Sequence, residues 1–170
     1  LAYFPDNDSD LARRGQLQTN TDAAGNVTSY AMSSPPFDTY DLFGNPKSIT
    51  DPNLAVREMT YDGRGRLRTS TVKGVAGDTV DLTTTTTYRD DGLVASVTYP
   101  LGNSVGYSYD ASNRTTDTIR IGADGKQNER LHVTYDTMSQ RKREESQSCD
   151  VPAVNCASWT TRRRQDFDYD

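Results

Sequence analysis

The sequence predicts an all-β protein: antiparallel β-hairpins repeated along the chain into a curled, spiralling sheet. Three observations lead there. A Tyr-Asp pair recurs; Gly or Asn usually follows four residues after the Tyr; and the intervening segments alternate apolar and polar, with no helical period over a dozen residues.

The pairs stand at Tyr40-Asp41, Tyr61-Asp62, Tyr109-Asp110, Tyr135-Asp136 and Tyr169-Asp170. Tyr88-Arg89 continues the series with Asp replaced, and Thr21-Asp22 with Tyr replaced. The glycine position holds Gly25, Gly44, Gly65 and Gly92, then Asn113 and Ser139. Asp opens such a turn by accepting backbone N–H bonds, and Gly supplies the positive φ at which a short hairpin closes. Asn tolerates that region better than other residues with a Cβ, and Ser139 suits it least. Apolar or β-branched residues resume at Val27, Ile49, Leu67, Leu93 and Thr115.

A second class of turn is expected between these, at Asp51-Pro52-Asn53, Gly74-Val75-Ala76-Gly77-Asp78, Pro100-Leu101-Gly102-Asn103 and Gly122-Ala123-Asp124-Gly125. There Pro presets φ at the first turn position and Gly or Asn takes the later one. The clearest hairpin joins 94–99 to 104–109, with Val105, Tyr107 and Tyr109 on one face. Leu131, Val133 and Tyr135 likewise share a face. One apolar, Tyr-rich face and one polar face per hairpin require stacking on neighbours, because a lone hairpin is unstable. The expectation is a single array over 1–170, clearest over about 20–170, with a local insertion at about 144–160.

Composition agrees. Hydrophobic residues make up 33% of the 170, too few for one large core, yet 10 Tyr and Thr/Val-rich tracts argue against disorder. The net charge of -5 disfavours nucleic acid as a partner, and the basic runs at 141–143 and 162–164 read as solvated faces. No apolar run is long enough to span a membrane, and no signal peptide opens the chain. The chain begins at Leu1 and stops at Tyr169-Asp170, as a segment of a longer protein would. Cys149 and Cys156 bracket a Pro-containing loop, which suits a local disulfide in an oxidising compartment; the alternative is a pair of free thiols.

Candidate chemistry is sparse. His132 is the only His, it lies on the outward side of its strand's alternation, and no second Cys pair completes a zinc site. Asp6-Asn7-Asp8-Ser9-Asp10 starts like a calcium loop but runs into Arg13, Arg14 and Gly15 without the central Gly or closing Glu. Neither a Gly-x-Ser-x-Gly nor a phosphate-loop motif occurs. No metal, cofactor or catalytic residue is therefore expected, and the chain is read as non-enzymatic. The competing reading is a carbohydrate- or receptor-binding adhesion module, with Tyr99, Tyr107 and Tyr109 as a platform that stacks on sugar rings at a cell surface.

The copies Tyr61-Asp62-Gly63-Arg64-Gly65-Arg66-Leu67 and Tyr40-Asp41-Leu42-Phe43-Gly44-Asn45-Pro46 resemble the RHS/YD-repeat family, as does Asp22-Ala23-Ala24-Gly25-Asn26-Val27. The likeness covers about 20–170. It implies a spiralling β-sheet shell, secreted or at the cell surface, that encloses a C-terminal toxin in bacterial members and serves adhesion in animal relatives. The implied partners are neighbouring repeats and an enclosed toxin or cargo. The family's Asp-Pro-containing self-cleavage motif has no counterpart here, so no residue inherits a proteolytic role.

Overall fold

The computed structural model describes residues 1–9, 11, 14–30, 39–74 and 80–169. Among them lie thirteen strands and no helix. These are β1 Ala2–Tyr3, β2 Leu17–Thr21, β3 Val27–Ser29, β4 Ser48–Thr50, β5 Val56–Tyr61, β6 Leu67–Val72 and β7 Leu82–Tyr88, then β8 Val94–Thr98, β9 Ser104–Tyr109, β10 Thr115–Ile121, β11 Gln127–Tyr135, β12 Arg141–Ala153 and β13 Trp159–Asp166. They hydrogen-bond in sequence order and the described pairings are antiparallel. The all-β hairpin fold expected from the sequence is the one found.

The chain divides into two compact units, Leu1–Thr85 and Thr86–Asp170. In the first, β3–β4 and β4–β5 pairing puts the turns at 22–26 and 51–55 on one edge and those at 41–45 and 62–66 on the other. In the second, the turns at 89–93, 110–114 and 136–140 share one edge, and those at 99–103 and 122–126 the opposite one. The turns directly preceded by Tyr thus share a single edge within each unit. Thr21-Asp22, expected as a Tyr-less copy of that series, belongs instead to the opposite edge, because β2 runs the other way from the strands that end in Tyr.

Burial is shallow, as a thin sheet requires. Among the described residues the buried hydrophobics are Phe4, Tyr40, Val133 and Cys149, with Thr39 and Ser48 buried beside them. Phe4 and Tyr40 meet edge-to-face at 6.4 Å. In the second unit Val97 pairs with Val105, and a row runs Tyr107, Thr118, Leu131, Ser146, Arg163 across one face. The opposite face carries the row Asp117, His132, Glu145, Arg164. The division into apolar and polar faces is incomplete. Ile119 lies on the polar face, while the exposed pair Arg120–Glu129 lies on the face of Tyr107 near the strand ends, where water reaches the charges.

The insertion expected at 144–160 is narrower. Residues 143–149 pair with β13, with a register shift between Ser146 and Gln147, up to Cys149 opposite Trp159, and 150–158 lie outside that pairing. The expected turn at 74–78 falls largely outside the described residues, as do Asp10, Arg13 and Asp170.

Candidate functional site: the repeat turns and their tyrosines

Each turn is built from five residues whose first is usually Asp. At 41–45 the Asp41 N–H donates to the Asn45 carbonyl (2.9 Å), and the Gly44 N–H donates back to the Asp41 carbonyl (3.1 Å). The Asp41 carboxylate takes the N–H groups of Phe43 (2.9 Å) and Asn45 (2.8 Å) on Oδ1, and the Asn45 side-chain amide on Oδ2 (2.9 Å). Asp62 and Asp110 repeat this geometry with Arg66 and Arg114 as the fifth residue, each donating Nε to Oδ2 at 2.7 Å. Asp22 does so with Asn26. Asp51 and Asp136 make the backbone part alone. This is a type I turn closed by a residue in the left-handed region.

Among the described residues the two expected classes of turn are therefore one. Tyr99 and Gly122 open turns with the same two backbone bonds as Asp41 does, and so does Arg89. At 51–55 Pro52 holds the second position as expected, but the left-handed residue is Leu54 (φ 65°), not Asn53, because the fourth position of the five carries that conformation throughout. Asn113 (φ 61°) and Ser139 (φ 67°) occupy it in their turns, alongside Gly44, Gly65 and Gly92. A glycine there also makes room: a Cβ on Gly65 would stand 3.1 Å from the Phe43 ring of the neighbouring turn.

The pKa values follow this bonding. Asp62 is held down to about 2, first by the Arg66 side chain, then by the Arg66 and Arg64 N–H groups. Asp22 is lowered chiefly by Asn26, and Asp110 by the Arg114 N–H. For Asp41 burial works upward, yet the bonds from Asn45 and Phe43 outweigh it and leave the group lowered.

Sequence reasoning did not anticipate the work of the tyrosines. Each hydroxyl reaches back to the strand that leaves the preceding turn on the same edge. Tyr40 donates to the Leu17 carbonyl (2.5 Å), Tyr61 to Pro46 (2.8 Å), Tyr109 to Val94 (2.9 Å) and Tyr135 to Thr115 (2.9 Å). In every case the acceptor lies two residues beyond the left-handed position. The rings are covered too: Arg89 lies 5.5 Å from the centroid of Tyr109, and Arg114 lies 4.5 Å from that of Tyr135. Tyr88 ends β7 in the same position. Burial raises the phenols of Tyr40, Tyr61 and Tyr109.

A further turn was hidden by its length. Phe4 donates to the Gln16 carbonyl and accepts from the Gly15 N–H, as Asp41 does with Asn45 and Gly44. The intervening excursion carries Asp6 and Asp8, where Arg14 Nε donates to the Asp8 carbonyl (2.7 Å). The signal available was Gly15 followed by a β run, without Tyr-Asp at the usual offset.

The remaining candidates are dispersed. His132 lies opposite the face of Val133 and bonds Asp117 through Nδ1 (2.8 Å), with Arg130 also near that carboxylate (3.5 Å). Tyr99 and Tyr109 sit at opposite ends of the β8–β9 hairpin, so the three rings expected as a sugar platform do not converge, and the hydroxyl and ring of Tyr109 are engaged. Cys149 and Cys156 are joined as a disulfide, with Cα atoms 5.9 Å apart. Among the described residues no three His, Cys, Asp or Glu side chains converge as a metal site would require, and no helix is long and apolar enough to cross a membrane.

Comparison with known proteins places the repeat. The RHS Repeat family model matches residues 40–79 and 88–127. No curated protein matches the chain. Among solved structures, a TcdB2-TccC3-Cdc42 crystal structure is similar at TM-score 0.60 and 18% identity, over 74% of this chain and 6% of that one. A TcdB2-TccC3 crystal structure gives 0.59 and 15%, over 82% and 8%. A Photorhabdus luminescens Tc holotoxin pore carrying a TccC3 mutation gives 0.57 and 18%, over 71% and 5%. The chain thus spans less than a tenth of the length of these solved chains, and the likeness is one of fold. The Tyr40-Asp41, Tyr61-Asp62 and Tyr109-Asp110 turns fall inside the matched stretches, and over those residues the chain carries repeats of the RHS family.

Proposed function

We propose that this chain is a non-catalytic wall segment of a secreted or surface-displayed bacterial RHS protein, enclosing or carrying a C-terminal toxin-like polypeptide. One observation carries the reading: the residues that define the repeat are used to tie hairpin to hairpin. Tyr40, Tyr61, Tyr109 and Tyr135 bind the backbone of the preceding hairpin. The carboxylates of Asp41, Asp62 and Asp110 are taken up by their own turns. A repeat that spends its Tyr hydroxyls and Asp carboxylates on its own hairpins builds extended sheet. The fold shared with chains of Tc toxin assemblies supports enclosure as the use of that sheet.

The test is protection of cargo. The parent protein, expressed with the sequence that follows this segment, should keep that polypeptide intact under a protease that rapidly digests it alone. Digestion of the polypeptide at the same rate in both settings would overturn the enclosure reading.

A further inference from the structure

The β12–β13 hairpin is closed differently from its neighbours. The described turns at 41–45, 62–66, 99–103, 110–114, 122–126 and 136–140 share the two backbone bonds of the five-residue turn. After β12 that turn is absent. The pairing with β13 stops at Cys149 and resumes at Trp159, while β12 itself runs on to Ala153, which pairs with Gln127 of β11; Val151 and Val154 are both largely exposed. The stretch 150–158 is fastened by the Cys149–Cys156 disulfide. Beside it are an Asp150 N–H bond to the Ser158 carbonyl (3.2 Å), a Thr160 hydroxyl bond to Asp150, and a Cys156 N–H bond to Gln127 Oε1 (3.0 Å).

We propose that Cys149–Cys156 is a site of thiol–disulfide exchange whose substrate is a dithiol reductant, and that its reduction opens 150–158 while the rest of the sheet stays closed. Cys149 is buried and Cys156 half-buried, so the Cys156 sulfur is the one offered to an incoming thiolate. Attack there forms a mixed disulfide and breaks the Cys149–Cys156 bond, and Cys149 leaves as a thiolate that takes up a proton. The second thiol of the reductant then displaces Cys156 as a thiol, so the reductant becomes a disulfide and two electrons pass to the pair. These are the only cysteines of the chain, so a reductant acts nowhere else in it. The Asp and Tyr fastenings of the other hairpins are indifferent to it. Oxidising surroundings keep the clasp shut, and reducing surroundings release one loop. This inference stands on the loop alone, and its failure would leave the enclosure reading as it was.

Trp159, the single tryptophan, stands opposite Cys149 and reports the clasp, because a disulfide quenches a neighbouring indole. The experiment adds a dithiol to the 170-residue chain and follows Trp159 emission, far-UV circular dichroism and elastase cleavage after Val and Ala within 150–158. Emission should rise and cleavage in the loop should accelerate about tenfold or more, with the β signal unchanged and both effects reversed on reoxidation. The Cys149→Ser/Cys156→Ser double variant should behave as the reduced chain without added dithiol. Unchanged cleavage would overturn the proposal, as would collapse of the β signal on reduction, which would make the disulfide a staple of the whole unit. Thiol titration finding both cysteines free under oxidising conditions would overturn it as well.

Discussion

The Tyr61 hydroxyl donates to the carbonyl of Pro46, 2.8 Å away and fifteen residues earlier, across the edge where one hairpin leaves its turn and the next arrives. Tyr109 holds Val94 at the same separation, also fifteen residues, and at nearly the same distance. The repeat's tyrosine is thus a fastening between hairpins, and its polar tip matters as much as its ring.

Tyr61→Phe keeps the ring and removes the fastening. The expected cost is about 1 kcal/mol, the net worth of a neutral hydrogen bond. Urea denaturation should show it, and Tyr135→Phe should lose a similar amount because its bond to Thr115 is equivalent. No measurable loss at either position would reduce the hydroxyl to an ornament.

Leu54 and Ser139 hold the left-handed position without being glycine. Leu54 is 77% exposed, so its side chain contributes little packing there. Leu54→Gly and Ser139→Gly should each stabilise by about 1 kcal/mol, since the penalty on a Cβ in that region exceeds the added chain entropy of glycine. Gly65→Ala should do the opposite, having both φ 75° and the Phe43 ring against it. Thermal melts of the three variants would rank them.

Stability should fall at both ends of the pH scale. Asp22, Asp41, Asp62 and Asp110 have folded pKa values below the ordinary 3.8. Their contribution is complete above that value and is lost as pH falls through the folded values, about 2 for Asp62. The phenols of Tyr40, Tyr61 and Tyr109 lie above 10.0, so theirs is present below pH 10 and lost as the pH rises through the folded values. Denaturant midpoints measured across the scale should show both limbs, and Asp62→Asn should flatten the acid one.

Glycan arrays probed with the chain should show no saturable binding. Tyr99 and Tyr109 lie at opposite ends of one hairpin, and Arg89 covers the Tyr109 ring. Binding that disappears in Tyr107→Ala with the fold intact would restore the carbohydrate reading.

The fold was legible because its signals are local. Asp at the first turn position, Gly at the fourth and period-two alternation each act within a few residues, and Tyr61-Asp62 through Leu67 displays all of them. What escaped depends on distance or direction. The Tyr61–Pro46 bond joins residues of different hairpins. The edge on which the Asp22 turn lies depends on counting strand reversals. Phe4 and Gly15 close the same turn across an excursion that breaks the usual offset. Leu54 gave no sign of its conformation, because its turn enforces a geometry its side chain would not choose.

Within each unit, fastening tyrosines on one edge, with turns lacking them opposite, give the sheet a grain. A lineage can lengthen or shorten it by whole hairpins, because each added pair of strands brings its own phenol and presents its own carbonyl to the next. Loss of a single strand within a unit would reverse the later strands of that unit and carry their phenols to the wrong margin, so natural variation in its length should come in even steps.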